Sequence, residues 1–306
     1  WMVALHVPTA HAFVFTVGKS GTGNNCSFPT VQQAINAARD NKEADEIWIT
    51  RDVVGGYYQN QALRIEGQPD PLTIVGGFDD CRDVTRSGVT ELHGNGGPRA
   101  PVLDIRGGSV TIQGLRITRG DADSTQLQDG GGIRYAGIGV LSVLDSLIDR
   151  NNAGRGAGIA ITSVGQGGAS IRLENTEVSD NRALSVGGGI LLNSQDSTSS
   201  AILAAQVRIN RNYAVSGGGG FAMTGRSSLF ANSLDLQIEA NGTLGNGGAV
   251  LAVSPVEIQI GGSPFVGALG TFVGNEATNG GAIALASHPD LGSPAGRSIV
   301  QLSSPI

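Results

Sequence analysis

The sequence predicts an all-β chain wound as a right-handed parallel β-helix, a solenoid closed at its start by one short N-terminal capping helix. Two marks and a texture predict it. From residue 130 a glycine-rich tetrad ending in an apolar residue returns six times, with its last residue at Ile133, Ile159, Ile190, Phe221, Val250 and Ile283, at intervals of 26, 31, 31, 29 and 33. An apolar residue three places before an asparagine keeps step, ending at Asn151, Asn181, Asn212, Asn241 and Asn275, each 8 or 9 residues before its apolar partner. Between the marks run short alternating segments divided by Gly, Asn and Asp, the texture of strands with one inward face. Two marks in fixed phase make a repeat architecture the economical reading.

If each repeat is one coil, equivalent residues stack at the strand separation of about 4.8 Å. The five asparagines then form a ladder, each donating and accepting amide hydrogen bonds between coils and tolerating the left-handed backbone of a tight corner. The glycine runs serve the opposite corner, where positive φ or close coil-to-coil approach excludes a Cβ. In GIAIT, GILLN, GFAMT, AVLAV and AIALA, alternate side chains enter the cylinder. The variable stretches QDSTSS (195–200) and GGSPFVGALG (261–270) are expected as outward loops. At least six coils are expected between about residues 115 and 300.

In chain order, residues 1–12 end in Ala10-His11-Ala12, an A-x-A pattern that reads as the tail of a signal peptide without its charged n-region; an ordinary first strand is the alternative. Residues 13–306 form one domain, with a cap and early coils over 13–120 and regular Gly/Asn repeats over 121–306. Phe13–Val17 is strand-like. In SFPTVQQAINAARDN the apolar positions Val31, Ala34, Ile35 and Ala38 recur at helical spacing behind Pro29, which predicts the one helix. EIWIT, ALRIEG, LTIVGGF, VLDIRG and SVTIQGLRITRG follow as early strands. The two cysteines, Cys26 and Cys81, fit one disulfide across a 55-residue separation or two unrelated buried thiols.

Composition narrows the function classes. Glycine supplies 48 of 306 residues, about twice average usage, and aromatics only 5%, so the core must be Val, Ile, Leu and Ala. Twenty basic against 26 acidic residues leave a charge of −6, and without a basic run nucleic acid is not an expected partner. No apolar stretch reaches the roughly 18 residues of a membrane-spanning helix. The four histidines, His6, His11, His93 and His288, are scattered without metal-ligand spacing. Leucine-rich, calcium-roll and helical repeats each lack a required feature: fixed leucines, an Asp after the glycines, or a glycine-poor helix.

The tetrads and the [IVF]-x-x-N marks resemble the GGA[I/V/L] and FxxN repeats of polymorphic outer-membrane proteins, autotransporter-type surface proteins with β-helical passengers. FVGN with GGAI over 272–283 matches both motifs, and the resemblance covers about 130–285. TVQQAIN at 30–36 and LTIVGGFDDC at 72–81 resemble the cap and an early coil of the broader pectate-lyase-like superfamily. That resemblance implies the fold and leaves activity open, because the fold hosts lyases, hydrolases, adhesins and spikes.

The residues read as a secreted or cell-surface scaffold of adhesin or passenger type, outer-membrane or periplasmic in location, with a surface glycan or protein as partner. The alternatives are a polysaccharide lyase or hydrolase and a structural spike or sheath component. An enzyme of this fold needs convergent acids and a base in a groove. Asp79-Asp80 and the His93 of HGNGG do not supply that set. Asp121, Asp123 and Asp129, followed by Arg134, are the one acidic cluster that could hold Ca²⁺ or a sugar, against a plainer reading as turn-forming Asp; no other cofactor is expected. Asp149 and Asp180, beside the ladder, are expected to cap turns. The chain stops in the strand-like SIVQLSSPI, so the native product is expected to continue past Ile306.

Overall fold

A computed structural model describes residues 13–18, 26–41, 43–51, 57–94, 99–122, 129–164, 167–231, 236–253, 256–261, 272–285 and 299–303. The expected leader at 1–12 lies outside them, as does nearly all of GGSPFVGALG. The chain is a parallel β-solenoid of about 8 turns with 56% strand. Four stacks of strands run along it, each paired in parallel with its counterpart one coil later. The first holds the post-glycine strands, from Leu63–Glu66 through Leu103–Arg106, Ile133–Ala136 and Ile159–Ser163 to Val250–Val253 and Ile283–Leu285. The second runs from Phe13–Val17 and Asp45–Thr50 through Gly108–Gln113, Gly139–Leu144 and Ala169–Glu174 to Ile299–Ser303. The third contains Thr90–His93, Leu115–Thr118, Leu147–Asp149, Thr176–Ser179 and Val207–Asn210. The fourth contains two-residue strands from Asp121–Ala122 to Gly242–Thr243.

The first two stacks merge because Ile190–Leu203 and Phe221–Ala231 run through both. Thr198, Ser199 and Ser200 of QDSTSS are therefore paired strand and not loop, and the register shifts between Ser194 and Thr198. The physical reason is that small hydroxyl residues such as Thr198, Ser199 and Ser200 suit either face of a pleat: Ser199 is buried and donates to Ser163 Oγ at 3.2 Å.

Inside, equivalent residues form columns with no exposed surface, such as Ile133, Ile159, Ile190, Phe221 and Val250, or Ile117, Ile148, Val178, Ile209 and Ile238. Each aliphatic side chain so buried contributes about 2 kcal/mol. In the fourth stack the column shrinks to Ala122, Ala153, Ala183 and Ala214, because the coil is narrowest beside the asparagines.

There Asn151, Asn181, Asn212, Asn241 and Asn275 stack in five successive coils. Each Nδ2 of the first four donates to the next Oδ1 at 3.0–3.1 Å, and each also donates to a backbone carbonyl of the preceding coil, as Asn212 does to Val178 O at 2.8 Å. Each next Oδ1 also accepts a backbone N–H, Asn181 N to Asn212 Oδ1 at 3.1 Å. At the ladder's start Gly120 N donates to Asn151 Oδ1 at 2.8 Å. The left-handed residue of this corner is the one before each asparagine: Arg150, Asp180, Arg211, Ala240 and Gly274 have φ of 52–64°, and Arg119, before Gly120 at the ladder's start, has 55°. The asparagine itself is free to point inward, which a left-handed backbone there would forbid.

The glycine tetrads lie against this ladder rather than across the coil from it. Their first residue is left-handed, as at Gly187 with φ 69°. Where the third is glycine it has no room: a Cβ on Gly189 would meet Gly220 O at 2.7 Å and Asn212 Nδ2 at 3.0 Å, whereas the last two tetrads carry Ala249 and Ala282 there.

Helix α1, Val31–Asn41, buries Val31, Ala34, Ile35 and Ala38 against the first coils. Thr30 Oγ1 accepts from Gln33 N, capping the helix, and donates to Gln33 Oε1. Gln32 closes the edge strand, its amide donating to Arg64 O at 3.0 Å and accepting from Arg64 N at 2.8 Å. Cys26 and Cys81 are disulfide-bonded, with Cα atoms 5.3 Å apart, which ties the cap to the end of Leu72–Phe78.

Removal of one ladder amide, Asn212→Ala, strands Val178 O and the Asn181 donors in a dry interior and is expected to cost at least about 3 kcal/mol; urea denaturation measures it. Asp45, 2% exposed at the foot of the cap, accepts from Asn41 Nδ2, and burial, then the charge of Glu43, pushes its carboxyl up to about 6. Ionisation is thus disfavoured in the fold, and stability falls as pH rises from about 4 to 6. Asp45→Asn is expected to raise stability at pH 7.5 by up to roughly 3 kcal/mol and to change little at pH 3, as read by melting temperature across pH.

Candidate functional site

Alternation in the third stack sends Leu92, Ile117, Ile148, Val178 and Ile209 inward. The residues one place earlier, Glu91, Arg116, Leu147, Glu177 and Arg208, therefore line one outward column, one per coil. At the preceding corner Gly114, Asp145, Asn175 and Gln206 stack with φ of 65, 48, 47 and 53°. That left-handed turn lifts the corner side chains beside the column. Between them lies an open groove of about 290 Å³ lined by Val89, Asp145, Asn175, Glu177, Gln206 and Arg208, among others.

The carboxylates of this face are committed. Asp145 accepts from Gln113 Nε2 at 2.9 Å, Asn175 Nδ2 at 2.8 Å and the Arg86 guanidinium at 2.8 Å. Those donors, the Gln113 amide foremost, pull its carboxyl down to about 2, so at neutral pH it has no proton to give as a general acid. Arg116 bridges Glu91 at 3.0 Å and both oxygens of Asp149 at 3.0 and 2.6 Å. Arg211 holds both oxygens of Asp180 at 2.9 and 3.0 Å and reaches Glu177 at 3.5 Å. Burial, then the charge of Arg119, depresses the basicity of His93, which is 5% exposed. The face can offer hydrogen bonds and guanidinium charge. Among the described residues Asp145, Glu91, Asp149, Asp180 and Glu177 each accept from an arginine or amide donor.

The acidic cluster expected at 121–129 divides differently. Asp129 gives both oxygens to Arg155, at 2.7 and 3.0 Å. Asp121 sits in the fourth stack, paired in register with Asn152, with Arg99 3.7 Å away. Asp123 lies outside the described residues. Arg134, expected beside them, instead reaches Asp104 at 2.8 Å in the first stack. Among the described residues no group of three or more His, Cys, Asp or Glu is arranged to hold a metal ion. Asp149 and Asp180 do not cap turns: Asp149 is a buried anchor for Arg116, and Asp180 is itself a left-handed corner residue tied to Arg211. The two aspartates stand at different distances from their ladder asparagines, two residues before Asn151 and one before Asn181, and only the second distance is the left-handed corner position.

Comparison with known proteins adds little to this geometry. No protein-family profile and no curated protein matches the chain. Among solved structures, a crystal structure of Escherichia coli YbhC is 13% identical, covering 91% of this chain and 78% of that one, with a TM-score of 0.44. The solenoid rests on the chain's own strand register. No helix among the described residues is long and apolar enough to cross a membrane.

The Gln113–Asp145–Asn175 bridge spans three coils and went unread in the sequence, although its members recur at nearly the coil period. Asp145→Ala is expected to lower the melting temperature at pH 7. Because its carboxyl is depressed in the fold, the stabilisation it gives is full above about pH 4 and is lost as pH falls toward 2. The gap between variant and parent should close over that window in a thermal scan.

Proposed function

We propose that the chain is a non-catalytic, extracytoplasmic β-helix scaffold of adhesin or passenger type, which binds a ligand along the outer face of its third strand stack. The observation that carries this reading is the state of the carboxylates there. Asp145, Glu91, Asp149, Asp180 and Glu177 are each engaged by arginine or amide donors, which suits a rigid binding face, and Asp145, held down to about 2, is no acid for glycosidic bond cleavage at neutral pH. The disulfide between Cys26 and Cys81 suits an oxidising compartment, and the tetrad and asparagine marks resemble those of surface passengers. Rigidity supports binding as well, because outward side chains fixed at coil spacing lose little entropy on contact.

A carbohydrate and matrix-protein binding array, run beside an ultraviolet assay for unsaturated products on polyuronates with Ca²⁺, tests the reading. Binding to at least one immobilised ligand without turnover is expected. Unsaturated product, or hydrolysis of any polysaccharide on the panel, would overturn it.

A further inference from the structure

The chain carries a net charge of −6 and 18 of its 20 basic residues are arginine. Most arginines on the third-stack face are consumed by the ion pairs described above. Arg119 and Arg208 have no carboxylate partner among the described residues, and Arg208 donates only to Gln237 Oε1 at 3.1 Å. Arg150 reaches Asp149 at 3.6 Å, an oxygen that Arg116 already holds at 2.6 Å.

The placement of Arg119 and Arg150 is costly. They occupy the same corner position in consecutive coils, since Thr118 and Asp149 pair in register, so their backbones lie about one strand spacing apart, near 4.8 Å. Both are exposed and both adopt positive φ, 55° each, a conformation costing a non-glycine residue roughly 1 kcal/mol. Like charges side by side add repulsion. On its other side Arg150 meets Asp180, the next residue of the corner column, so the charge left without a carboxylate there among the described residues is that of Arg119, which an anion from outside the chain would meet. Across the same face, Arg208 lies beside Gln206, whose amide has no partner among the described residues, and beside Asn175 in the groove. Guanidinium forks match tetrahedral oxyanions, and neutral amides match hydroxyls.

Resting on the scaffold reading above, we propose that this face binds a sulfated glycan, with sulfate esters on Arg119, Arg150 and Arg208 and sugar hydroxyls on Gln206 and Asn175. A nucleic acid would want base-stacking aromatics that this face does not present, and a lipid surface would want more apolar area than Val89 and Leu147 offer.

The full chain is titrated with dextran sulfate, unsulfated dextran and polygalacturonate by calorimetry. Dextran sulfate should bind with an affinity that falls as salt rises, polygalacturonate at least roughly tenfold more weakly, and dextran not measurably. The Arg119→Gln/Arg150→Gln pair and Arg208→Gln should each weaken dextran sulfate roughly tenfold. Arg119→Lys/Arg150→Lys, which keeps the charge, should recover most of that loss. Arg172→Gln, which removes an exposed arginine paired with Glu174 on the second stack, should leave affinity within about twofold. Melting temperatures of the glutamine variants should stay within a few degrees of the parent, since none of the three exposed arginines holds a close carboxylate of its own among the described residues. Unchanged affinity in the glutamine variants, or polygalacturonate binding as tightly as dextran sulfate, overturns the sulfate assignment while leaving the scaffold reading standing. Turnover of a polysaccharide overturns the scaffold reading itself.

Discussion

Each coil must turn a sharp corner beside the fourth stack, where the chain is too narrow for large side chains and no water can enter to satisfy the backbone. The asparagine ladder meets that constraint. Its amides donate to the neighbouring Oδ1 and to a carbonyl one coil back, and each Oδ1 reached takes an amide and a backbone N–H in return. Such a buried network is stabilising only when complete. Gly120 supplies the terminal donor at the start of the ladder.

Other features of the chain follow from that column. An asparagine aimed inward crowds the facing strand entry, hence the third glycine of four tetrads, at Gly132, Gly158, Gly189 and Gly220. It leaves little space beside it, hence the alanines of the fourth stack. It pushes the left-handed conformation one residue back, onto positions whose side chains must point to solvent, and there the chain places arginine three times. A packing requirement inside the cylinder thus fixes where charge stands outside it. The proposed binding face is built on that consequence.

The fold was legible because its determinants are periodic and local. A glycine-rich tetrad and an inward asparagine recur from coil to coil after residue 130, and alternation marks the inward face of each strand. QDSTSS was misread because serine and threonine signal turns locally, while a neighbouring strand offers the same residues a ladder of backbone bonds. The candidate face was far less legible. Arg116 and Asp149 are 33 residues apart and Arg86 and Asp145 are 59 apart, and nothing in either local sequence names the partner.

By itself the sequence determined the parallel solenoid, its coil length, the capping helix and the residues of the ladder, because each follows from spacing and from the conformational freedom of Gly and Asn. The tertiary structure decided which residue takes the left-handed turn, which side of the coil the glycines occupy, and which charges cancel. Those depend on register between coils about thirty residues apart, where a one-residue shift would exchange inside for outside. Only the folded stack sets that register.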